Sequence, residues 1–111
     1  MDIHETREGS VTVLRPVGAL VQAEADQFRE RANEAYQRSL GRFVVDASDV
    51  QFIDSQGLEV LLSLADAMSD AGRTLLLCGS NETLREVLDL TGLEDRFEHC
   101  VDVNTAVRSF L

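Results

Sequence analysis

Ser55 stands in the stretch of the chain richest in groups that could do chemistry, Asp46-Ala47-Ser48-Asp49-Val50-Gln51-Phe52-Ile53-Asp54-Ser55-Gln56-Gly57-Leu58. Apolar residues recur with a helical period from Gly57 onward, which puts Ser55 at a predicted helix N-terminus. Unpaired backbone N–H groups and the positive end of the helix dipole can there receive an anionic group such as a phosphoryl. The modification adds about −1.5 to −2 charges beside Asp54, with Asp46 and Asp49 upstream and Glu59 one turn on. The plainer role for Ser55 is a helix N-cap, worth about 1 kcal/mol against alanine. Asp54 can cap the helix instead, leaving Ser55 at the first helical position with a freer hydroxyl; spacing leaves both arrangements open. Ser55, Glu59, Asp66 and Asp70 share one helical face, an acidic ridge suited to docking a partner. Asp46 and Asp49 read equally well as solvated loop carboxylates or as groups that position a modifying enzyme.

Other chemistries lack their parts. All basic residues are arginine, which removes the phosphate-binding P-loop, Schiff-base catalysis and a receiver-type phospho-aspartate site, each of which needs a lysine. Asp46 follows a predicted strand as a receiver acceptor would, yet Val17 to Val21 carries no acidic pair. A serine hydrolase needs a base and an oxyanion hole, but His4 and His99 are the only histidines and Gly79-Ser80-Asn81 is not a Gly-x-Ser-x-Gly elbow. His99-Cys100 is an isolated pair without metal-ligand spacing, so no metal and no cofactor are expected. Cys78 and Cys100 lie in apolar stretches and read as buried thiols in a reducing cytosol. The chain reads as a binding protein rather than an enzyme.

The elements that must position Ser55 follow from periodicity. With 111 residues, 44% of them hydrophobic, one domain spanning 1–111 can hide roughly two-thirds of its unfolded surface without metals or disulfides. The net charge of −10 argues against nucleic acid and anionic membranes as partners. No apolar run approaches the roughly 18 residues of a membrane span, so no direct membrane insertion and a cytoplasmic location are expected. Asp2 to Glu8 and Val11 to Val17 predict a hairpin turning at Gly9-Ser10, with Gly18 ending the second strand. A helix follows from Gln22, burying Ala25, Phe28, Ala32, Ala35 and Ser39, with a Glu34–Arg38 pair on its surface and Gly41 as its stop. Arg42 to Ala47 predicts a strand, Ser48 to Asp54 a loop, and Gly57 to Ala71 a helix whose stripe is Leu58, Leu61, Leu62, Ala65 and Met68. Thr74 to Cys78 predicts a buried strand, and Ser80 or Asn81 caps a helix carrying Leu84, Val87 and Leu88 that ends at Gly92. A short strand over Phe97 to Val101 and a helix over Asn104 to Leu111 complete an α/β fold. The expectation is a mixed β-sheet of about four to five strands with about four helices packed mainly on one side.

Asp54-Ser55-Gln56-Gly57-Leu58, led by Phe52 and Ile53, resembles the signature of STAS domains, the fold of anti-sigma factor antagonists and of sulfate-transporter tails. Leu88-Asp89-Leu90-Thr91-Gly92-Leu93 is similar to the helix end of that family, and Phe97 stands where its next aromatic is expected. The resemblance implies that Ser55 is phosphorylated by an anti-sigma factor that is itself a serine protein kinase, and that a metal-dependent, PP2C-type serine phosphatase reverses the step. The unmodified antagonist would then hold the anti-sigma factor away from its sigma factor, a partner switch. Asp46, Asp49, Asp54, Ser55, Gln56, Gly57, Glu59 and Asp66 are the expected partner-binding residues, with Gly57 letting the partner approach the backbone. In one departure Gly18-Ala19-Leu20 is followed by Val21, where antagonists of the sporulation and stress type commonly carry Asp. STAS-like subunits of lipid-transporting ABC complexes and stress-signalling scaffolds, which work without reversible phosphorylation, are the alternatives.

Overall fold

The computed structural model describes residues 1–111. Its elements are β1 (Asp2–Glu8), β2 (Val11–Leu20), α1 (Gln22–Arg38), β3 (Phe43–Asp46), β4 (Val50–Ile53), α2 (Ser55–Asp70), β5 (Leu76–Cys78), α3 (Glu82–Leu90), a single 3₁₀ turn (Glu94–Arg96), β6 (Glu98–Cys100) and α4 (Val103–Arg108). The strands form one mixed sheet in the order β1-β2-β3-β5-β6, with β4 paired to β2 off that path. Only β1 and β2 run antiparallel; β2–β3, β2–β4, β3–β5 and β5–β6 are parallel. Side chains alternate across the sheet. Leu14, Phe43, Val45, Leu75 and Leu77 meet Phe28, Val60, Leu64, Leu84 and Leu88 of α1, α2 and α3 on one face. Val11, Val44, Leu76 and Cys78 meet Ala106 of α4 on the other. The helices thus pack mainly on one side, as expected. No helix is long and apolar enough to cross a membrane.

Two departures from the expected elements shape the end of the sheet near Ser55. β2 does not stop at Gly18 but runs on to Leu20, and the segment expected to be a loop from Ser48 to Asp54 contains β4, a strand beyond the four to five expected. The Thr12 N–H donates to the Arg42 carbonyl at 2.8 Å and the Gly18 N–H to that of Asp49 at 3.0 Å, so even-numbered amides of β2 point toward β3 and β4. Pro16 faces the same way. It lies between the last β3 register partner, Leu14, and the first β4 partner, Gly18, so its missing N–H falls in the gap between two ladders and costs no bond. Gly18, at φ +115°, sits where the register shifts.

The helices also differ from expectation at their ends and faces. α2 begins at Ser55 rather than Gly57, and Val60 and Leu64 join Leu61, Ala65 and Met68 in the core while Leu58 and Leu62 are only half-buried. Arg38 does not pair with Glu34; its guanidinium reaches across to β1 and donates to both oxygens of Glu5 at 2.9 Å. Cys78 and Cys100, distant in sequence, are register partners on β5 and β6.

Candidate functional site

The site is built where β2 and β4 end and α1 and α2 begin. Asp54 adopts an extended backbone (φ −100°, ψ −174°) and caps α2, its Oδ1 accepting the Gly57 N–H at 2.9 Å. Its backbone extends the parallel ladder, the Asp54 N–H donating to the Leu20 carbonyl at 3.4 Å. The second carboxylate oxygen, Oδ2, accepts the N–H of Gln22, the first residue of α1, at 3.2 Å. One carboxylate therefore satisfies orphan donors at the starts of two helices, where negative charge is also favoured by both dipoles. Val21, the residue before α1, offers no side-chain cap, so the Asp54 bond replaces one from an unrelated part of the chain. Gln22 takes a left-handed backbone at φ +46°, a strain of about 1 kcal/mol that the Asp54 bond helps to hold.

With Asp54 as the cap, Ser55 becomes the first helical residue, exposed and with its hydroxyl free of the capping bond. The arrangement that spacing left open is thus the one with the freer hydroxyl. Gln56 turns toward α1 and donates from Nε2 to Asp26 Oδ1 at 3.0 Å, a contact that no spacing in the sequence announces. Gly57 is buried, and a Cβ on it would lie 2.1 Å from the Leu20 carbonyl oxygen and 2.7 Å from Ile53 Cγ1. In its own chain the backbone that Gly57 admits is that of β2, because α2 crosses the end of that strand in contact.

The remaining candidates separate. Glu59 lies exposed one turn below Ser55. Asp66 lies exposed further along α2 and forms an ion pair with Arg96 of the 3₁₀ turn, so the ridge is not purely acidic. Asp49 pairs with Arg15 of β2. Asp46 ends β3, where alternation turns it to the α4 face with Val44; it accepts the Ser48 N–H at 3.0 Å and lines a cleft with Asp102 and Asn104, away from α2. Phe52 of β4, legible in the sequence only as an apolar lead-in, is 52% exposed three residues before Ser55. No cluster of three or more His, Cys, Asp or Glu side chains could hold a metal.

The comparisons agree with this architecture. A curated anti-sigma F factor antagonist of Paenibacillus polymyxa is 29% identical over 94 residues, covering 84% of this chain and 80% of its own. The crystal structure of an anti-sigma factor antagonist from Mycobacterium paratuberculosis superposes with a TM-score of 0.85 at 19% identity, over 97% of this chain and 92% of that one. The Bacillus cell fate determinant SpoIIAA in its phosphorylated form gives a TM-score of 0.75 at 17% identity, over 99% of this chain and all of the other, 100%. At such identities the two structures speak for the fold alone. The STAS domain family model matches residues 3–106. A match of that extent, over a sheet and helices in the same arrangement, makes the chain a member of the STAS domain family.

Proposed function

We propose that the chain is an anti-sigma factor antagonist that works by partner switching, with Ser55 as the switch. The observation that carries this is the division of labour at the start of α2: Asp54 supplies the cap, and Ser55 is left exposed with a hydroxyl a kinase can reach. The unmodified protein binds an anti-sigma factor that is also a serine protein kinase, which frees the sigma factor. Transfer of a phosphoryl group to Ser55 Oγ ends that binding, and a PP2C-type serine phosphatase restores it. Family membership and the antagonist names of the relatives support the reading.

Electrostatics explains how one group could reverse binding. Phosphorylation adds about −1.5 to −2 charges directly beside the Asp54 carboxylate. The α2 N-terminus tolerates that charge, while a partner surface of arginines shaped for the neutral hydroxyl meets different charge and bulk. The docking surface would comprise Ser55, Gln56, Glu59 and the half-buried Leu58 and Leu62, with the Asp66–Arg96 pair at its lower edge and Phe52 beside it. Asp46 and Asp49, at the β3–β4 turn, would help to position the kinase for transfer to Ser55.

The test is to incubate the full chain with the anti-sigma kinase encoded by the same organism and ATP, then to read phosphate on the Ser55 peptide and titrate binding. Ser55→Asp should bind that partner at least about tenfold more weakly, and Ser55→Ala should bind like the unmodified protein in the presence of ATP. Absence of phosphate, with both variants binding as wild type, sinks the switch. Val21 favours one second reading, constitutive assembly as in STAS-like transporter subunits or scaffolds, and that same outcome would select it.

A further inference from the structure

Cys78 and Cys100 are register partners on the parallel strands β5 and β6, beside the bond that the Gly79 N–H donates to the Cys100 carbonyl at 3.0 Å. Both thiols are free. Register partners on neighbouring strands point to the same face of a sheet, and both side chains belong to the apolar cluster beneath α4. The two thiols also act on one another. Burial is the first cause that raises both, Cys100 is the second for Cys78, and a hydrogen bond between the side chains acts on each. Neighbouring strands lie about 4.7–4.9 Å apart, inside the Cα range of about 4.4–6.8 Å that a disulfide accepts. β6 is an edge strand of 3 residues, so it has the freedom to draw the two Cβ atoms into bonding range.

Access separates the pair: Cys78 is buried and Cys100 only half-buried, so a reagent from solvent meets Cys100 first. We propose that Cys78 and Cys100 are a modification site, which a small disulfide converts to an intramolecular disulfide that fastens β6 and the loop carrying α3 to the centre of the sheet. The Cys100 thiolate attacks one sulfur of the small disulfide and expels the other as a thiolate, which takes up the proton that Cys100 gave up. The Cys78 thiolate then attacks the Cys100 sulfur of the mixed disulfide. The Cys78–Cys100 bond forms as the mixed bond breaks, and the second small thiolate leaves with the Cys78 proton. One small disulfide is thereby reduced to two thiols while two cysteines are oxidised to one disulfide. Cys78 needs no path to solvent, because the sulfur it attacks is already its neighbour. The link closes the loop from Gly79 to His99, and closing a loop removes entropy from the unfolded chain. That loop includes Asn81, whose Nδ2 donates to the Val50 carbonyl of β4 at 2.6 Å.

The experiment is to incubate the full reduced chain, folded, with bis(2-hydroxyethyl) disulfide, a neutral probe that the net charge of −10 does not repel. Intact mass should fall by two hydrogens, and an unreduced digest should contain the Cys78 and Cys100 peptides joined. Cys78→Ala should stop at the mixed disulfide on Cys100, and Cys100→Ala should react at least about tenfold more slowly than wild type. The oxidised chain should unfold at a higher urea concentration than the reduced chain. The wild-type readouts decide the matter without either variant. The proposal is overturned if wild type accumulates the mixed disulfide without closing it, if the bond joins two chains, if it forms only in urea, or if it lowers the urea midpoint. No readout depends on Ser55, so this outcome and that of the phosphorylation test are separate.

Discussion

Gln22 and Asp54 are joined across 32 positions by a backbone N–H to carboxylate bond of 3.2 Å, which fastens the start of α1 to the start of α2. Removing the carboxylate exposes the cost. Asp54→Ala loses the α2 cap, worth about 1 kcal/mol, and releases the strained Gln22, so a loss of about 1–2 kcal/mol is expected in urea unfolding. Asp54→Asn keeps an oxygen for the Gly57 N–H but has no second acceptor, and should fall between. Ser55→Ala should leave stability within about 0.5 kcal/mol, because Ser55 does not cap. A larger loss from Ser55→Ala than from Asp54→Ala would show that the capping roles are reversed.

Gly57→Ala tests the packing of α2 on β2. A methyl 2.1 Å from the Leu20 carbonyl oxygen meets backbone, which cannot rotate away. Forcing atoms into such a contact costs about 1–3 kcal/mol, and the upper end is expected here. A thermal melt that coincides with wild type would mean that α2 slides along the sheet without penalty.

Glu5 gives stability a dependence on pH. The hydrogen bond from Arg38 is the largest cause holding its carboxyl below the ordinary glutamate value of 4.5, against a smaller opposing effect of burial, with Arg31 also helping. A group depressed in the folded state contributes above its unfolded pKa and loses that contribution as pH falls through the folded value. Stability should therefore decline as pH drops below 4.5, and Arg38→Gln should flatten this part of the profile. At neutral pH the variant should differ little from wild type, since the Arg38 end of the pair is exposed to solvent. Urea midpoints across the acidic range decide it: parallel profiles for the two proteins would exclude this pair as a cause.

Cys78 should resist alkylation in the native chain. Burial is the first cause pushing its thiol up to about 12, and the neighbouring Cys100 is the second. Burial raises Cys100 as well. The thiolate is the reactive form, so iodoacetamide should label Cys100 first and Cys78 at the rate of unfolding, as read by mass spectrometry with and without urea. Rapid native labelling of Cys78 would contradict its burial.

Local periodicity carried most of this fold, and long-range geometry carried what periodicity missed. The hairpin from Asp2, the buried face of α1 and a cap for α3 at Ser80 or Asn81 each depend on neighbours in sequence and were legible there; the structure selects Asn81. β4 was not, because Gln51 and Phe52 are both exposed and break the alternation that marks a strand; its existence depends on β2 continuing past Pro16. Glu34 looked like the partner of Arg38 because both lie on one helix, yet Glu5 lies across the sheet in better reach. At the site, Ser55 and Asp54 were visible from the helix start, whereas the bond from Gln22 and the contact of Gly57 with Leu20 join segments more than 30 residues apart and leave no local trace. The Asp66–Arg96 pair was hidden for the same reason.

The sheet is covered unequally, by three helices on one face and on the other by α4, 6 residues long, over a cluster of 5 buried side chains. Segments that bury little apolar surface open at lower free energy than the whole molecule. Amide hydrogens of α4 should therefore exchange through a sub-global opening, while those of α1 and α2 wait for global unfolding. The molecule breathes from the back, and a partner that grips the Ser55 end holds the half that stays still.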